Sequence, residues 1–325
     1  MTTSPVPPPL ADDAAAVPGH AAKTDGDGRR LEAPPSPGPE ALSSPAGLEA
    51  LPSLSPSRAA DFKTCPLLFR LRTIDRIPEP PHPDRARGTL VHAVLERLFD
   101  LPAAHRTPAA AAALVEPQWQ RLVEEEPELA TLLQTPGGDG LLDSARELLS
   151  GYFQVEDPRR VEPAERECLV EAVVGDRLVL RGYIDRLDAT PDGQLRVVDY
   201  KSGGAPREAF EARALFQLKF YALVLWRTRG VVPRVLRLLY LRDAEVCDYS
   251  PEAEELRRFE RTLLALWRAI EQATAAERFP PVPSRLCDWC SYRHLCPAFG
   301  GTPPPFPQQP PPPEAVPGPR PGEDD

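Results

Sequence analysis

Residues 195–204, LRVVDYKSGG, place an aspartate and a lysine two positions apart at the end of an apolar, β-branched run. Side chains alternate along a strand, so residues two positions apart lie on the same face. Asp199 and Lys201 are therefore predicted to stand side by side at a strand end, with Tyr200 facing the other way. In most proteins such a pair is an exposed ion pair that contributes little to stability. A chemical role requires further groups that converge on this strand end.

A second aspartate, Asp185 in GYIDRLD, ends the apolar stretch before this strand. The short turn at residues 191–193 predicts a hairpin that brings Asp185 close to Asp199. Two converging carboxylates repel each other unless a cation lies between them, and oxygen ligands favour Mg²⁺ or Mn²⁺. The alternative interpretation is two aspartates that flank a polar turn.

Three further polar residues lie on predicted helices. His92 is at the edge of the apolar stripe of RGTLVHAVLERLFD, where a histidine is more often a hydrogen-bonded core residue than a ligand. Gln217 and Tyr221 are four positions apart on the helix predicted for residues 208–229. They share a face of that helix, although packing alone could explain Tyr221. Each of these signals is weak when taken alone.

The apolar periodicity predicts an α/β core with a mixed central β-sheet flanked by helices. A helix predicted for residues 57–72 is interrupted near Pro66. An alanine- and leucine-rich helical insert, which carries little mechanistic information, covers residues 101–165. The predicted strands are 167–174, 177–190, 195–203 and 234–241, and the predicted later helices are 208–229 and 252–274.

Four motifs occur in order: GTLVH on a helix, GYIDR on a strand, DYKSG at a strand end and QLKFY on a helix. Each is unspecific, but the ordered set resembles the RecB-like branch of the PD-(D/E)xK nuclease superfamily over roughly residues 55–300. The resemblance implies a restriction-endonuclease-like core and metal-dependent hydrolysis of DNA phosphodiester bonds. Mg²⁺ or Mn²⁺ would be the cofactor, in agreement with the two aspartates.

The resemblance also implies a role for each residue of these motifs. Catalysis and phosphate positioning would fall on Asp185, Asp199, Lys201, Gln217 and Tyr221, with Lys201 as the catalytic lysine. The implied metal ligands are His92, Asp185, Asp199 and the carbonyl of Tyr200. An upstream strand glutamate is common in this family, and Glu165, Glu167 and Glu171 are all candidates for it.

Three of the six cysteines form the pattern C-x2-C-x5-C at Cys287, Cys290 and Cys296, a spacing typical of thiolates on one metal centre. The resemblance points to the distant Cys65 as a fourth ligand, because iron–sulfur members of the family use one N-terminal and three C-terminal cysteines. This split favours a structural [4Fe–4S] clasp, with zinc as the alternative and His294 as a possible substitute ligand. Cys168 and Cys247 are predicted to be ordinary buried thiols.

The composition separates the core from its ends. Residues 1–52 and 303–325 hold 22 of the 43 prolines and lack apolar periodicity, so both are predicted to be disordered tails of a nuclease domain at residues 53–302. The tails also carry most of the net charge of −10. Within the core, a basic cluster suits DNA as a partner, although a solvated arginine-rich helix face is an equal alternative; it comprises Arg58, Lys63, Arg70, Arg72, Arg76, Arg85 and Arg87.

These observations together favour a metal-dependent DNA exonuclease acting on ends or single strands in repair or recombination. One alternative is a catalytically weak DNA-binding subunit of a helicase–nuclease complex, and another is a zinc-binding interaction protein with an accidental D-x-K pair. The sequence has no Walker-type phosphate loop, so helicase activity would need a partner in a repair complex. No apolar run is long enough for a membrane span and no signal peptide is recognisable, which predicts a cytoplasmic protein.

Overall fold

The computed structural model describes residues 51–134, 138, 140–205 and 211–307, and it describes side chains for all of these except residues 211–213. Most of the two predicted tails, at residues 1–50 and 308–325, lies outside the described residues. No helix in the described ranges is long and apolar enough to cross a membrane.

A mixed sheet of six strands forms the centre of the described part. The strands are β1 (Ser53–Leu54), β2 (Glu165–Val174), β3 (Leu178–Ala189), β4 (Leu195–Lys201), β5 (Val235–Tyr240) and β6 (Glu245–Tyr249). β3 pairs antiparallel with β2 along one edge, and its other edge pairs with β1 at its start and with β4 at its end. β4 and β5 are parallel, and β6 closes the far edge antiparallel to β5.

Eight α-helices flank this sheet in the described chain. They are α1 (Pro56–Thr64), α2 (Pro66–Phe69), α3 (Pro83–Leu98), α4 (Pro108–Ala113), α5 (Val115–Glu125), α6 (Leu141–Val155), α7 (Glu211–Arg229) and α8 (Ala253–Ala275). α1 begins at an N-cap in which Ser55 Oγ accepts from Arg58 N at 3.2 Å, and it ends at Cys65, directly before the predicted break at Pro66. The predicted α/β fold with a helix-flanked mixed sheet is confirmed.

Two hydrophobic cores lie on the two faces of the sheet. Leu195 and Val197 pack in the core that includes α7 and α8, whereas Val198 and Tyr200 pack in the core formed with α3 to α6. The alternation predicted for β4 is therefore present, and Asp199 lies on the α7 face. The helices of the insert, together with α3, therefore cover one face of the sheet.

Two strands and one boundary differ from the sequence-based expectation. β1 has only two residues, and β6 is a largely solvent-accessible edge strand, so neither has an apolar signal to detect. At the C-terminus, the Phe306 ring stacks on Phe279 at 6.0 Å between centroids, and Arg70 Nη2 donates to Pro304 O at 2.5 Å. The packed part of the chain therefore continues past the predicted boundary at residue 302.

Candidate active site

The end of β4 carries a buried ion pair. Asp199 is only 2% exposed, and its Oδ2 lies 2.5 Å from Lys201 Nζ. The ammonium also donates to Gln217 Oε1 at 2.9 Å, and Gln217 Nε2 donates to Tyr221 OH at 3.1 Å. Because Asp199 is withdrawn from water, this pair is not the exposed surface ion pair that an isolated D-x-K predicts.

Close packing between β3 and α7 holds this chain of contacts in place. Gln217 and Tyr221 lie one helical turn apart, so both side chains point at the end of β4. A Cβ added at Gly182 would lie 2.7 Å from Tyr221 Cε1, which is closer than carbon atoms approach. The glycine of the GYIDR motif therefore gives the Tyr221 ring the space it needs.

A second group of ligand atoms lies where β2, β3 and α3 meet. His92 Nδ1 is 3.5 Å from Asp185 Oδ2 and 3.9 Å from Glu167 Oε1. One ligand atom from each of His92, Glu167 and Asp185 falls within 4.8 Å of the other two. A distant helix and the two strands of one hairpin thus present an imidazole and two carboxylates to one point.

The structure distinguishes the three candidate upstream glutamates. Glu167 lies between Arg166 and Cys168, whose partners on β3 flank Asp185, and its φ of 42° is unusual for a residue other than glycine. Glu165 instead pairs with Arg229 at 2.7 Å, and Glu171 pairs with Arg181. The sequence alone contains no signal that separates them, because all three lie on one strand.

The backbone of Tyr200 connects the two groups. Its N–H donates to Asp185 Oδ2 at 2.8 Å, and its carbonyl lies 2.9 Å from His92 Nε2. Of the predicted metal ligands, His92 and Asp185 therefore belong to the group with Glu167. Asp199 instead pairs with Lys201, and the Tyr200 carbonyl faces the imidazole.

Burial and charge oppose each other at these groups. Burial lowers the pKa of His92, but the surrounding carboxylates outweigh it and raise the pKa to about 9. Burial raises the pKa of Asp199 to about 6 against the effect of Lys201. Burial also raises the pKa of Asp185, but His92 outweighs it and holds that pKa below its usual value. Three carboxylates beside one lysine and one histidine are the oxygen-rich, negative donor set that a hard divalent cation requires.

The C-terminal cysteines meet Cys65, the residue that ends α1. A cavity of about 50 Å³ with a mainly apolar wall is lined by Cys65, Cys287, Cys290 and Cys296. Val282 N donates to Cys65 Sγ at 3.4 Å, and Ser284 N donates to Cys287 Sγ at 3.3 Å.

The other candidate ligands for this cavity lie elsewhere. His294 is exposed and is not among the residues of the wall. Cys168 and Cys247 pack against the α7-side core, where burial raises the pKa of Cys168 to about 12.

The predicted basic cluster is largely neutralised by local carboxylates. Four of its seven members form ion pairs, which are Arg70–Asp75, Arg72–Asp61, Arg85–Glu79 and Arg87–Asp84. The ion pairs agree with the alternative interpretation of a solvated helix face for these four residues. Acidic partners that lie nearby in sequence offset much of the charge of this segment.

The chain matches the family model of the PD-(D/E)XK nuclease superfamily over residues 53–297. It therefore belongs to this superfamily and is a nuclease by family, which confirms that part of the resemblance. The buried Asp199–Lys201 pair at the end of β4 lies within the matched region.

Several known proteins are similar to this chain. The Gene 69 protein of Mycobacterium phage D29 is 26% identical over 272 residues, covering 77% of this chain and 98% of that protein. An ATP-dependent helicase/deoxyribonuclease subunit from Streptococcus equi subsp. zooepidemicus (strain H70) is 33% identical over 131 residues, which are 38% of this chain but only 12% of that protein. The structure of a "Putative exonuclease" from Eubacterium rectale covers 80% of this chain and 94% of that one, at 11% identity and a TM-score of 0.47.

Proposed function

We propose that this nuclease is a Mg²⁺- or Mn²⁺-dependent deoxyribonuclease that removes nucleotides from DNA ends or single strands. The observation that carries the proposal is the buried Asp199–Lys201 pair beside the ligand group of His92, Glu167 and Asp185. A partly exposed ammonium held against a buried carboxylate, with further carboxylates at the same strand end, matches what phosphodiester hydrolysis needs.

His92, Glu167 and Asp185 would hold the divalent cation, with Asp199 adjacent to them. A bound cation supplies charge neutralisation at the phosphate and lowers the pKa of water. His92 Nε2 is engaged with the Tyr200 carbonyl, so Nδ1 faces the carboxylates and is the nitrogen available as a ligand.

Lys201 contributes through its charge. The transition state of phosphodiester hydrolysis carries more negative charge on the phosphate than the substrate does, and a fixed ammonium stabilises that increase. Asp199 and Gln217 hold Nζ from two sides, so little reorganisation is needed during reaction. Tyr221 orients Gln217 in turn, so these two residues would position the lysine, and the family resemblance implies that they also position the phosphate.

Two considerations support DNA as the substrate and a helicase as a partner. One similar protein is named a helicase/deoxyribonuclease subunit, although the match covers only a small part of it. The motif resemblance points to DNA exonucleases as well. A role in repair or recombination and a cytoplasmic location stay predictions.

For the cysteine site we propose a structural [4Fe–4S] cluster, with zinc as the alternative. The support for the cluster is the arrangement of one N-terminal and three C-terminal cysteines around one cavity, which resembles the iron–sulfur members of the family. The cluster would fasten the end of α1 to the C-terminal segment.

The decisive assay is hydrolysis of end-labelled single- and double-stranded DNA with Mg²⁺ or Mn²⁺. Asp199→Ala and Lys201→Ala should each reduce cleavage about a hundred- to a thousandfold while DNA binding persists. Lys219→Ala is the matched control, because Lys219 also pairs with a carboxylate, Glu255, at 2.7 Å and its side chain is similarly exposed. Cleavage at the parent rate by the Asp199 and Lys201 variants would refute the active-site assignment.

A parent chain that binds DNA but cuts neither substrate would favour the second candidate, a catalytically weak DNA-binding subunit. The observation behind that candidate is the partial match to a component of a helicase–nuclease complex.

A further inference from the structure

A buried chain of charges connects the helical layer to the active site. Arg186 is fully buried, and its guanidinium donates to Glu156 Oε1 at 2.5 Å and to Oε2 at 2.8 Å. Its Nε lies 3.0 Å from Asp188 Oδ1, and Asp188 Oδ2 is 2.7 Å from Arg196 Nη2. Two arginines and two carboxylates alternate, so the chain is balanced in charge although it is withdrawn from water.

Glu156 connects the helical layer to these buried charges. It directly follows α6, where its N–H donates to Tyr152 O at 3.0 Å and its carboxylate accepts from Tyr152 OH at 2.8 Å. Both carboxylate oxygens are therefore occupied by partners on defined elements. The end of α6 fixes Glu156, and Glu156 fixes Arg186 on β3.

Arg186 reaches the active site through Tyr200. Its Nη1 donates to Tyr200 OH at 3.0 Å, while the backbone of the same tyrosine contacts Asp185 and His92. The side chain of Tyr200 thus lies in the helical core, and its peptide groups hold two of the three proposed metal ligands. A shift of the tyrosine ring would be transmitted to both ligands.

We propose that Glu156 is a positioning residue of the nuclease: acting through Arg186 and Tyr200, it fixes the orientation of Asp185 and His92 and thereby the affinity of the site for its cation. The inference rests on the proposed metal-dependent function. Groups that orient metal ligands typically alter metal affinity by about ten- to a hundredfold when they are changed. The helical insert is then a functional part of the active site.

The test measures Mn²⁺ binding to the whole protein by electron paramagnetic resonance, counting only the signal that Asp185→Ala removes. Glu156→Gln should weaken this binding about tenfold. Glu260→Gln is the matched control, because Glu260 is also buried and paired with an arginine, Arg227, but contacts none of the site residues. Both variants should lose thermal stability, and only Glu156→Gln should lose Mn²⁺ affinity.

A double variant separates positioning from general destabilisation. Tyr200→Phe removes only the hydroxyl that Arg186 contacts, so it should weaken Mn²⁺ binding on its own and carries the test if Glu156→Gln does not fold. Because both substitutions break the same path, Glu156→Gln with Tyr200→Phe should cost far less than the product of the two single losses. Independent, multiplying losses would refute the path.

Two outcomes distinguish the proposals. Parent-like Mn²⁺ affinity in Glu156→Gln and Tyr200→Phe would overturn the positioning role and leave the metal site intact. If Asp185→Ala removed no Mn²⁺ signal from the parent protein, the proposed metal-dependent function would be overturned, and the positioning role with it.

Discussion

The strand-end site and the cysteine site are held together in different ways. At the end of β4, Lys201 forms an ion pair with Asp199 and donates a hydrogen bond to Gln217. Around the cysteine cavity, the sulfurs receive two backbone N–H groups, from Val282 at 3.4 Å and Ser284 at 3.3 Å. The comparison indicates that direct side-chain contacts preorganise the first site, whereas the rigidity of the second would come from the centre that we propose to bind there.

The largest expected effect comes from breaking the cysteine site. Cys65→Ala should abolish metal binding there as completely as Cys290→Ala, because both thiols face one cavity although they are far apart in sequence. The loss of stability should be large, since apparent metal-binding free energies at structural sites reach about 10 kcal/mol and contribute to folding. Metal analysis, visible absorption and thermal unfolding measure both effects.

Cys168→Ala and Cys247→Ala are the controls, since both thiols pack in the α7-side core and away from the cavity. Full metal content in Cys65→Ala would show that the end of α1 does not contribute a ligand. One zinc per chain in a colourless parent protein would support a metal-bound clasp and refute the iron–sulfur cluster.

A smaller effect should follow from disturbing the preorganised site through its packing. Gly182→Ala forces a Cβ into the Tyr221 ring, which orients Gln217 and so Lys201. We expect a loss of about 1–3 kcal/mol of stability, typical of overpacking, together with a clear decrease in DNA cleavage. Urea unfolding and end-labelled DNA hydrolysis measure the two.

The cysteine metal content of Gly182→Ala should stay at the parent level, because Gly182 does not line that cavity. A variant that lost both activity and cysteine-bound metal would show that the two sites are not independent.

Acid should lower the folding stability that the Glu156–Arg186 ion pair contributes beside the strand-end site. Burial raises the pKa of Glu156, but Arg186 outweighs it and holds the pKa below the usual value near 4.5. Because the folded-state pKa is the lower one, this stabilisation is present above about pH 4.5 and is lost as the pH falls through the folded-state pKa. Urea midpoints measured from about pH 6 to about pH 3 should fall more steeply for the parent than for Glu156→Gln. Identical pH slopes would contradict this assignment.

The smallest effects are expected at the chain ends. Removal of residues 1–50 and 308–325 should leave unfolding and cleavage unchanged, because their composition lacks the apolar residues of a core. Extending the C-terminal deletion to residue 303 removes the Phe306–Phe279 stack and the Pro304 contact of Arg70, and should cost about 1 kcal/mol. Equal stability of the two truncated forms would show that this packing contributes nothing.

Local rules were sufficient to predict from sequence which groups meet at the strand end. Strand alternation places Asp199 and Lys201 on one face, and the short turn between β3 and β4 brings Asp185 next to them. The break of α1 before Pro66 follows from the missing N–H of proline. Each of these rules depends on residues close together in the chain, so the α/β fold could be predicted, whereas the class of reaction came from the resemblance of the four ordered motifs to a nuclease family.

Only the tertiary structure decided the features that depend on distant partners. Strand register places Glu167, rather than Glu165 or Glu171, beside Asp185, and packing leaves Asp199 only 2% exposed. Glu156, in the segment that looked uninformative, meets Arg186 only because α6 packs over the sheet. Long-range packing sets which charges lose contact with water, and the strength of an electrostatic interaction depends on that loss. The sequence by itself determined which groups are available, and the fold determined which of them interact.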